Sequence, residues 1–181
     1  AMIAEFYKLS DVSAEPFIDL VQKIIPTLNL ITDYAMLNSY SPLFEGAQGV
    51  LLDQDFGFFP HVTRSNTTSK NALSIFPCGS ICYVTRTYQT RHGNGPMTNE
   101  GAALLLDHTE METNVSNKYQ GNFRRSLLDL DLLNYSIKCD SNYSKKLEKN
   151  LIITCVDQTG DKINVTHNEI LKTIDVKDIL N

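Results

Sequence analysis

The sequence predicts an α/β fold with a mostly parallel β-sheet flanked by helices. Three observations carry that expectation. Runs with helical and with strand-like apolar spacing alternate along the chain. The run "NLIITCVDQ" (150–158) is almost wholly apolar before a polar exit, as in a strand buried on both faces of a parallel sheet. Apolar residues make up 42% of the 181 and charged residues 20%, a balance that supports one folded α/β domain over 1–181 rather than a disordered chain.

The elements follow in chain order. "SAEPFIDLVQKIIPTLNLITDYAML" (13–37) places Phe17, Leu20, Val21, Ile24 and Ile25 at helical spacing. Ser13 stands as its cap, Pro16 falls in the first turn, and Pro26 kinks or splits it. "SPLFEGAQGVLL" (41–52) reads as a short strand running into a glycine-rich turn, and "SNTTSKNALSIF" (65–76) as a capped helix. The β-branched and aromatic run "SICYVTRTYQTR" (80–91) reads as a strand, closed by a turn at "HGNGP" (92–96). "RSLLDLDLLNYSIK" (125–138) is helical by pattern, 150–158 is the buried strand, and "TGDKINVTHNEILKTI" (159–174) reads as turn, short strand and helix. In a parallel sheet ligands sit beyond the carboxyl ends of strands, where Glu45–Gly49 and Thr154–Gln158 would fall.

Charge and composition narrow the function. A net charge of -5 argues against general binding to nucleic acid or anionic membrane, while leaving room for a local basic pocket. No apolar run approaches the ~20 residues that span a bilayer. No basic segment followed by an apolar one marks a signal peptide, so a cytoplasmic location is expected. The four cysteines are expected as buried reduced thiols. Cys78 and Cys82 are four apart, but no second Cys/His pair accompanies them, so no metal ligand is expected. Ala1-Met2 reads as an added start, which suggests an excised piece.

The chemistry concentrates in "EGAQGVLLDQDFGFFPHVTRSNTT" (45–68). Gly46 and Gly49 let backbone turn sharply or approach a ligand, having no Cβ to clash. Gln48 offers one acceptor and two donors, enough to read a purine edge. Thr63, Ser65, Asn66, Thr67 and Thr68 bring hydroxyls and amides to a helix start, where free N–H groups favour phosphate. Composition alone reads equally as a polar turn before an ordinary helix cap.

The same string resembles the adenylosuccinate synthetase family, whose nucleotide pocket is lined by a very similar "EGAQG-x-LLD-x-D-x-G-x-x-P-x-VT-x-SNT" segment. Residues Glu45 to Gly49, Leu51, Leu52, Asp53, Asp55, Gly57, Pro60, Val62, Thr63, Ser65, Asn66 and Thr67 all fit it. Downstream, "VTRTYQTRHGNGPMTNE" (84–100) is similar to the family at Tyr88, Thr90, Arg91, Gly93, Gly95, Pro96 and Glu100. "YQGNFRRSLLDLD" (119–131) falls where the family carries its arginine-rich loop for L-aspartate, and "ITCVDQ" (153–158) where it carries its guanine-reading turn.

The resemblance implies the family's P-loop-related α/β fold and its reaction, in which GTP activates IMP and aspartate then displaces phosphate. It implies that Gln48, Gly49, Thr63 and Asn66 contact the purine monophosphate. Arg124 and Arg125, or one of them, would clamp the aspartate carboxylate; otherwise they are solvated charges at a helix N-terminus. Thr154 and Asp157 would hold the guanine base, with Cys155 standing where the family has a lysine. Mg2+ is implied in the complete enzyme, with no ligand in this chain. The glycine-rich phosphate loop and the catalytic aspartate and histidine belong to an N-terminal half that this sequence lacks, so no catalytic residue is assigned here. His61 and His92 are expected on the surface or a pocket wall. The implied partners are purine nucleotides, L-aspartate, an N-terminal half or partner chain carrying the phosphate loop, and a second copy in a homodimer. Neither nucleic acid nor membrane is expected. Two alternatives stand beside this: a relative using dGMP, and a non-catalytic nucleotide-binding or scaffolding module.

Overall fold

Residues 13–28 and 34–179 are described by the structure, a computed structural model. Two units are distinguished, Ala1–Pro42 and Leu43–Asn181, and each is described by itself. In the first, α1 (Glu15–Ile24) passes into a tight 3-10 turn over Ile25–Thr27. Pro16 sits in its first turn, where a missing N–H costs nothing, and the Ser13 hydroxyl accepts from Glu15 N–H at 3.2 Å. Pro26 splits the expected run, whose continuation over 29–33 lies outside the described residues, as does Ala1-Met2.

The second unit carries the sheets. The strand expected over 41–52 is absent: residues 43–49 form no regular element, then Val50–Leu52 form a 3-10 turn. Helix α2 (Lys70–Ile75) is shorter than the capped helix expected from 65. Its N-terminal Ser69 N–H is met by the buried Asp140 carboxylate at 2.6 Å, not by a local cap. The strand expected over 80–91 is two strands, β1 (Ser80–Arg86) and β2 (Tyr88–His92). They part at Thr87, a buried residue whose N–H and hydroxyl donate to the carbonyls of Thr154 and Cys155 at 3.1 Å each.

The pattern read as helix from 125 is half strand. β3 (Phe123–Asp129) runs first, and helix α3 (Leu130–Asp140) starts where the Asp129 carboxylate accepts from Asp131 and Leu132 N–H. Ser126, Leu127 and Leu128 are buried in succession because β3 is an interior strand with neighbours on both sides. β4 (Glu148–Thr154) ends in the one-turn helix α4 (Val156–Thr159). β4 is not buried on both faces: its exposure alternates, and Ile152 is 45% exposed. The helix expected after β5 (Lys162–His167) is instead β6 (Ile170–Asp175). Asn168 and Glu169 both take positive φ (50° and 61°), the two-residue turn that closes a hairpin.

The class is α/β, as the composition and patterning predict. β1 pairs parallel with β4 in a two-stranded sheet, and a second sheet has the order β2-β3-β5-β6. There the β3–β5 pair is parallel, and β2 and β6 add to it antiparallel as edge strands. Leu128, Ile163 and Val165 form the buried core of this sheet, packed against Leu130, Ile174, Val176 and Ile179. All four cysteines are free thiols, but the expectation that all are buried is corrected: Cys139 is buried, Cys78 and Cys155 are half-buried, and Cys82 is exposed on an open face of β1.

Candidate functional site

The segment 45–68 is an irregular loop tied around one carboxylate. Asp53 is fully buried; one oxygen accepts from Asp55 N–H at 2.8 Å and the other from Thr67 N–H at 2.5 Å. Burial pushes its pKa up, but the Asp55, Thr67, Asn66 and Phe56 donors outweigh that and hold it below the usual aspartate value. The Thr67 hydroxyl donates to Gly49 O at 3.1 Å, and Thr63 N–H to Leu52 O at 2.8 Å. Gly57 is packed where a Cβ would meet the carbonyls of Asp53 and Leu51 at 2.6 Å, so only glycine fits.

This tying brings Gln48 and Thr63 to one cavity. Gln48 takes the left-handed conformation (φ 66°), uncommon for a residue other than glycine. Gln48, His61, Thr63, Arg91, His92 and Asn94 line a cavity of about 360 Å³. Arg91 clamps its two rims, donating from Nη2 to His61 O at 2.9 Å and from Nε to Asn94 O at 3.0 Å. Burial and the nearby Arg124 charge lower the Arg91 pKa, and among the described residues no carboxylate pairs with this cation on the cavity wall. Gly95 (φ 111°) lies against that guanidinium, leaving no room for a Cβ.

Other expected residues are placed elsewhere. Gly49 lies exposed at the start of the turn, its carbonyl taken by Thr67. Asn66 donates its amide to Asp55 at 2.7 Å and to Asp53 at 3.5 Å, so it braces the loop. Arg124 and Arg125 lie on strand β3, not at a helix N-terminus, and successive strand residues face opposite sides. Arg124 is engaged: Nη1 reaches both oxygens of Glu100 at 2.8 and 3.0 Å, and Nη2 donates to Gly95 O at 2.7 Å. Among the described residues Arg125 has no carboxylate partner. Its guanidinium lies 5.0 Å over the Phe123 ring, its Nε is buried without a hydrogen bond, and it lines a second cavity of about 420 Å³ with Gly101, Ala102, Leu104, Leu106 and Thr109.

At the end of β4 the Thr154 hydroxyl donates to Thr85 O at 3.2 Å, and Cys155 turns with φ 60° to start α4. Asp157 stands exposed on that turn. The turn is held from behind by a chain of side chains that sequence reasoning missed. Gln158 accepts from the Tyr88 hydroxyl at 2.5 Å, and Arg86 donates to Tyr88 at 2.8 Å and to Glu112 at 2.5 Å. Gln158 O also accepts from Asp107 N–H at 2.9 Å. Only Tyr88 and Arg91 carried a signal, as matches in the 84–100 string; nothing local marks Glu112 as the partner of Arg86. Among the described residues no three His, Cys, Asp or Glu side chains converge as a metal site.

Three comparisons bear on this geometry. The family model described as adenylosuccinate synthetase matches residues 5–168. The adenylosuccinate synthetases of Francisella tularensis subsp. novicida (strain U112) and subsp. tularensis (strain WY96-3418) are each 35% identical over 136 residues, 70% of this chain and 31% of theirs. A fully ligated adenylosuccinate synthetase from Plasmodium falciparum shares the fold, with a TM-score of 0.63 at 20% identity over 94% of this chain and 44% of that one. The chain thus spans about a third of the length of the curated relatives it matches. A family match over residues 5–168, most of its length, places this chain in the adenylosuccinate synthetase family of purine-biosynthetic ligases.

Proposed function

We propose that this chain supplies the purine monophosphate, aspartate and guanine contacts of a GTP-dependent ligase joining L-aspartate to IMP, and that it does not turn over alone. The observation that carries this is the cavity shared by Gln48, Thr63 and Arg91. Its amide has the donors and acceptor to meet a hypoxanthine edge, and its hydroxyl and guanidinium suit a monophosphate. A bound phosphate would also balance the Arg91 charge, which burial disfavours.

The aspartate carboxylate is assigned to Arg125, whose guanidinium has no carboxylate partner among the described residues and lines a cavity, whereas Arg124 already holds Glu100. Guanine is assigned to Asp157. A carboxylate there can accept from the ring N–H and exocyclic amine of guanine together, while adenine offers an unprotonated ring nitrogen. The Tyr88–Gln158 hydrogen bond fixes the turn that presents it. Mg2+ would neutralise the nucleotide phosphates in the complete enzyme; the described residues do not form a site for it, and no step is routed through it here. Phosphoryl transfer also needs a phosphate cradle and an acid–base pair, which this sequence does not carry. We place this work in the cytoplasm on the strength of the family's purine-biosynthetic role.

Calorimetric titration of the chain with IMP, dGMP, GTP and ATP tests the reading. IMP and GTP are expected to bind and ATP not to. Binding of dGMP in place of IMP would assign the chain to a dGMP-using branch, and no heat with any purine nucleotide would refute the proposal.

A further inference from the structure

Helix α4 is a single turn, and a helix of four residues does not hold its own shape in water. Its entry residue Cys155 takes φ 60°, a conformation disfavoured for any residue with a Cβ. Asp157 is exposed on this turn, and among the described residues its carboxylate forms no ion pair. The restraint comes through Gln158, which is pinned at both ends. Its carbonyl accepts from Asp107 N–H at 2.9 Å, and its side-chain oxygen accepts from the Tyr88 hydroxyl at 2.5 Å. Tyr88 is buried, and the same hydroxyl accepts from Arg86 Nη1 at 2.8 Å, so its proton and a lone pair are both committed. Arg86 in turn holds the largely buried Glu112 carboxylate. A run of hydrogen bonds therefore reaches from a part-buried ion pair to a solvent-facing turn. Withdrawing an ion pair from water braces two segments no better than apolar packing would, but a directional chain fixes orientation as well as contact.

We infer that Gln158 is a positioning residue for base selection: held by Tyr88 and the Arg86–Glu112 pair, it fixes the rotation of α4 so that the Asp157 carboxylate meets the ring N–H and the exocyclic amine of guanine together. The inference rests on the proposed assignment of guanine to Asp157. A two-point contact is lost when its carboxylate turns by more than about 10–20°, whereas a single hydrogen bond survives such a rotation. Loosening the turn therefore removes the bond to the exocyclic amine first. The signature of positioning is a loss of selectivity for that amine, distinct from a uniform loss of nucleotide affinity.

The test is calorimetric titration of GTP and of inosine triphosphate, which lacks the exocyclic amine, into the chain and into its Tyr88→Phe, Gln158→Leu and Gln158→Glu variants. The parent should prefer GTP by about tenfold, the size of one hydrogen bond to a charged group. Tyr88→Phe and Gln158→Leu should each bring that ratio to within about twofold of unity and leave the affinity for inosine triphosphate within about twofold of the parent's. Gln158→Glu keeps an acceptor for the Tyr88 hydroxyl and should keep the ratio. With Asp157→Asn already in place, Tyr88→Phe should change the ratio no further. Urea unfolding reports whether each variant is folded, and the two Gln158 variants, at a half-buried turn position, decide the question should Tyr88→Phe fail to fold. An unchanged ratio in the folded variants, or equal losses for both nucleotides, would overturn the inference. A parent that binds neither nucleotide, or does not distinguish them, would instead overturn the assignment of guanine to Asp157, and this inference with it.

Discussion

Glu112→Gln is the perturbation whose size the structure sets most directly. The Glu112 side chain is 7% exposed and pairs with Arg86 at 2.5 Å. Its other oxygen accepts from the Asn114 backbone at 2.9 Å and side-chain amide at 2.6 Å. The hydrogen bond from Arg86, opposed by burial and reinforced by Asn114, brings its pKa from 4.5 down to about 2. A carboxylate whose folded pKa is depressed contributes stability that is whole above the unfolded value and is lost as pH falls toward the folded one. The fall from 4.5 to about 2, at about 1.4 kcal/mol per pH unit, corresponds to roughly 3 kcal/mol at neutral pH. About 2 kcal/mol of that is gone by pH 3. Glutamine at 112 removes this contribution and leaves the Arg86 charge partly buried, so the variant should be less stable at pH 7 by about 2–4 kcal/mol. The assay is urea unfolding at pH 7, 4.5 and 3 and constant ionic strength, followed by circular dichroism because the chain has no tryptophan. The gap between parent and variant should shrink as pH falls below 4.5. Parallel curves would refute the ion pair as a stabilising link.

Three further outcomes are expected. Asp53→Ala strands the Asp55 and Thr67 N–H groups in a buried site and should cost about 3 kcal/mol in the same unfolding assay, while Asp53→Asn, which keeps one acceptor, should cost about 1–2. Arg125→Ala should weaken L-aspartate binding about tenfold in calorimetry, whereas Arg124→Ala should leave it within about twofold and lower stability by about 1 kcal/mol; the reverse order would move the carboxylate site to Arg124. In the protein completed with a phosphate-loop half, Asp157→Asn should erode the preference for GTP over ATP in a competition assay, with stability nearly unchanged because the residue is exposed.

The fold class was legible in the sequence, individual elements less so, and of the candidate site residues only Gln48 and Thr63 line the first cavity. Gln48 and Thr63 could be read as partners because glycines, amide and hydroxyls stand in a fixed order, and that order survives folding as one cavity wall. The helix read over 125–138 failed because Leu127, Leu128 and Leu130 continue a helical spacing into a strand whose burial is decided by β2 and β5 on either side. β6 was misread for a related reason. Ile170, Leu171 and Ile174 mimic a helical face, and the hairpin turn is disguised because Glu169 holds a position usually given to glycine. Thr87 is chemically ordinary, and only its two hydrogen bonds to the end of β4 reveal that the chain changes sheets there. The Arg86–Glu112 pair joins residues with no local relation, so no spacing argument reaches it.

Whether the cavity of Gln48, Thr63 and Arg91 holds a purine monophosphate is decided by calorimetric titration of IMP into the chain and into Gln48→Ala and Thr63→Ala. Saturable binding by the parent is expected, with a loss of about 1–2 kcal/mol in each variant, the size of one hydrogen bond to the base or to the phosphate. Inosine, lacking the phosphate, should bind the parent more weakly and be indifferent to Thr63→Ala. Unchanged IMP affinity in both variants would rule out this pocket and leave residues 45–68 as a structural turn tied by Asp53.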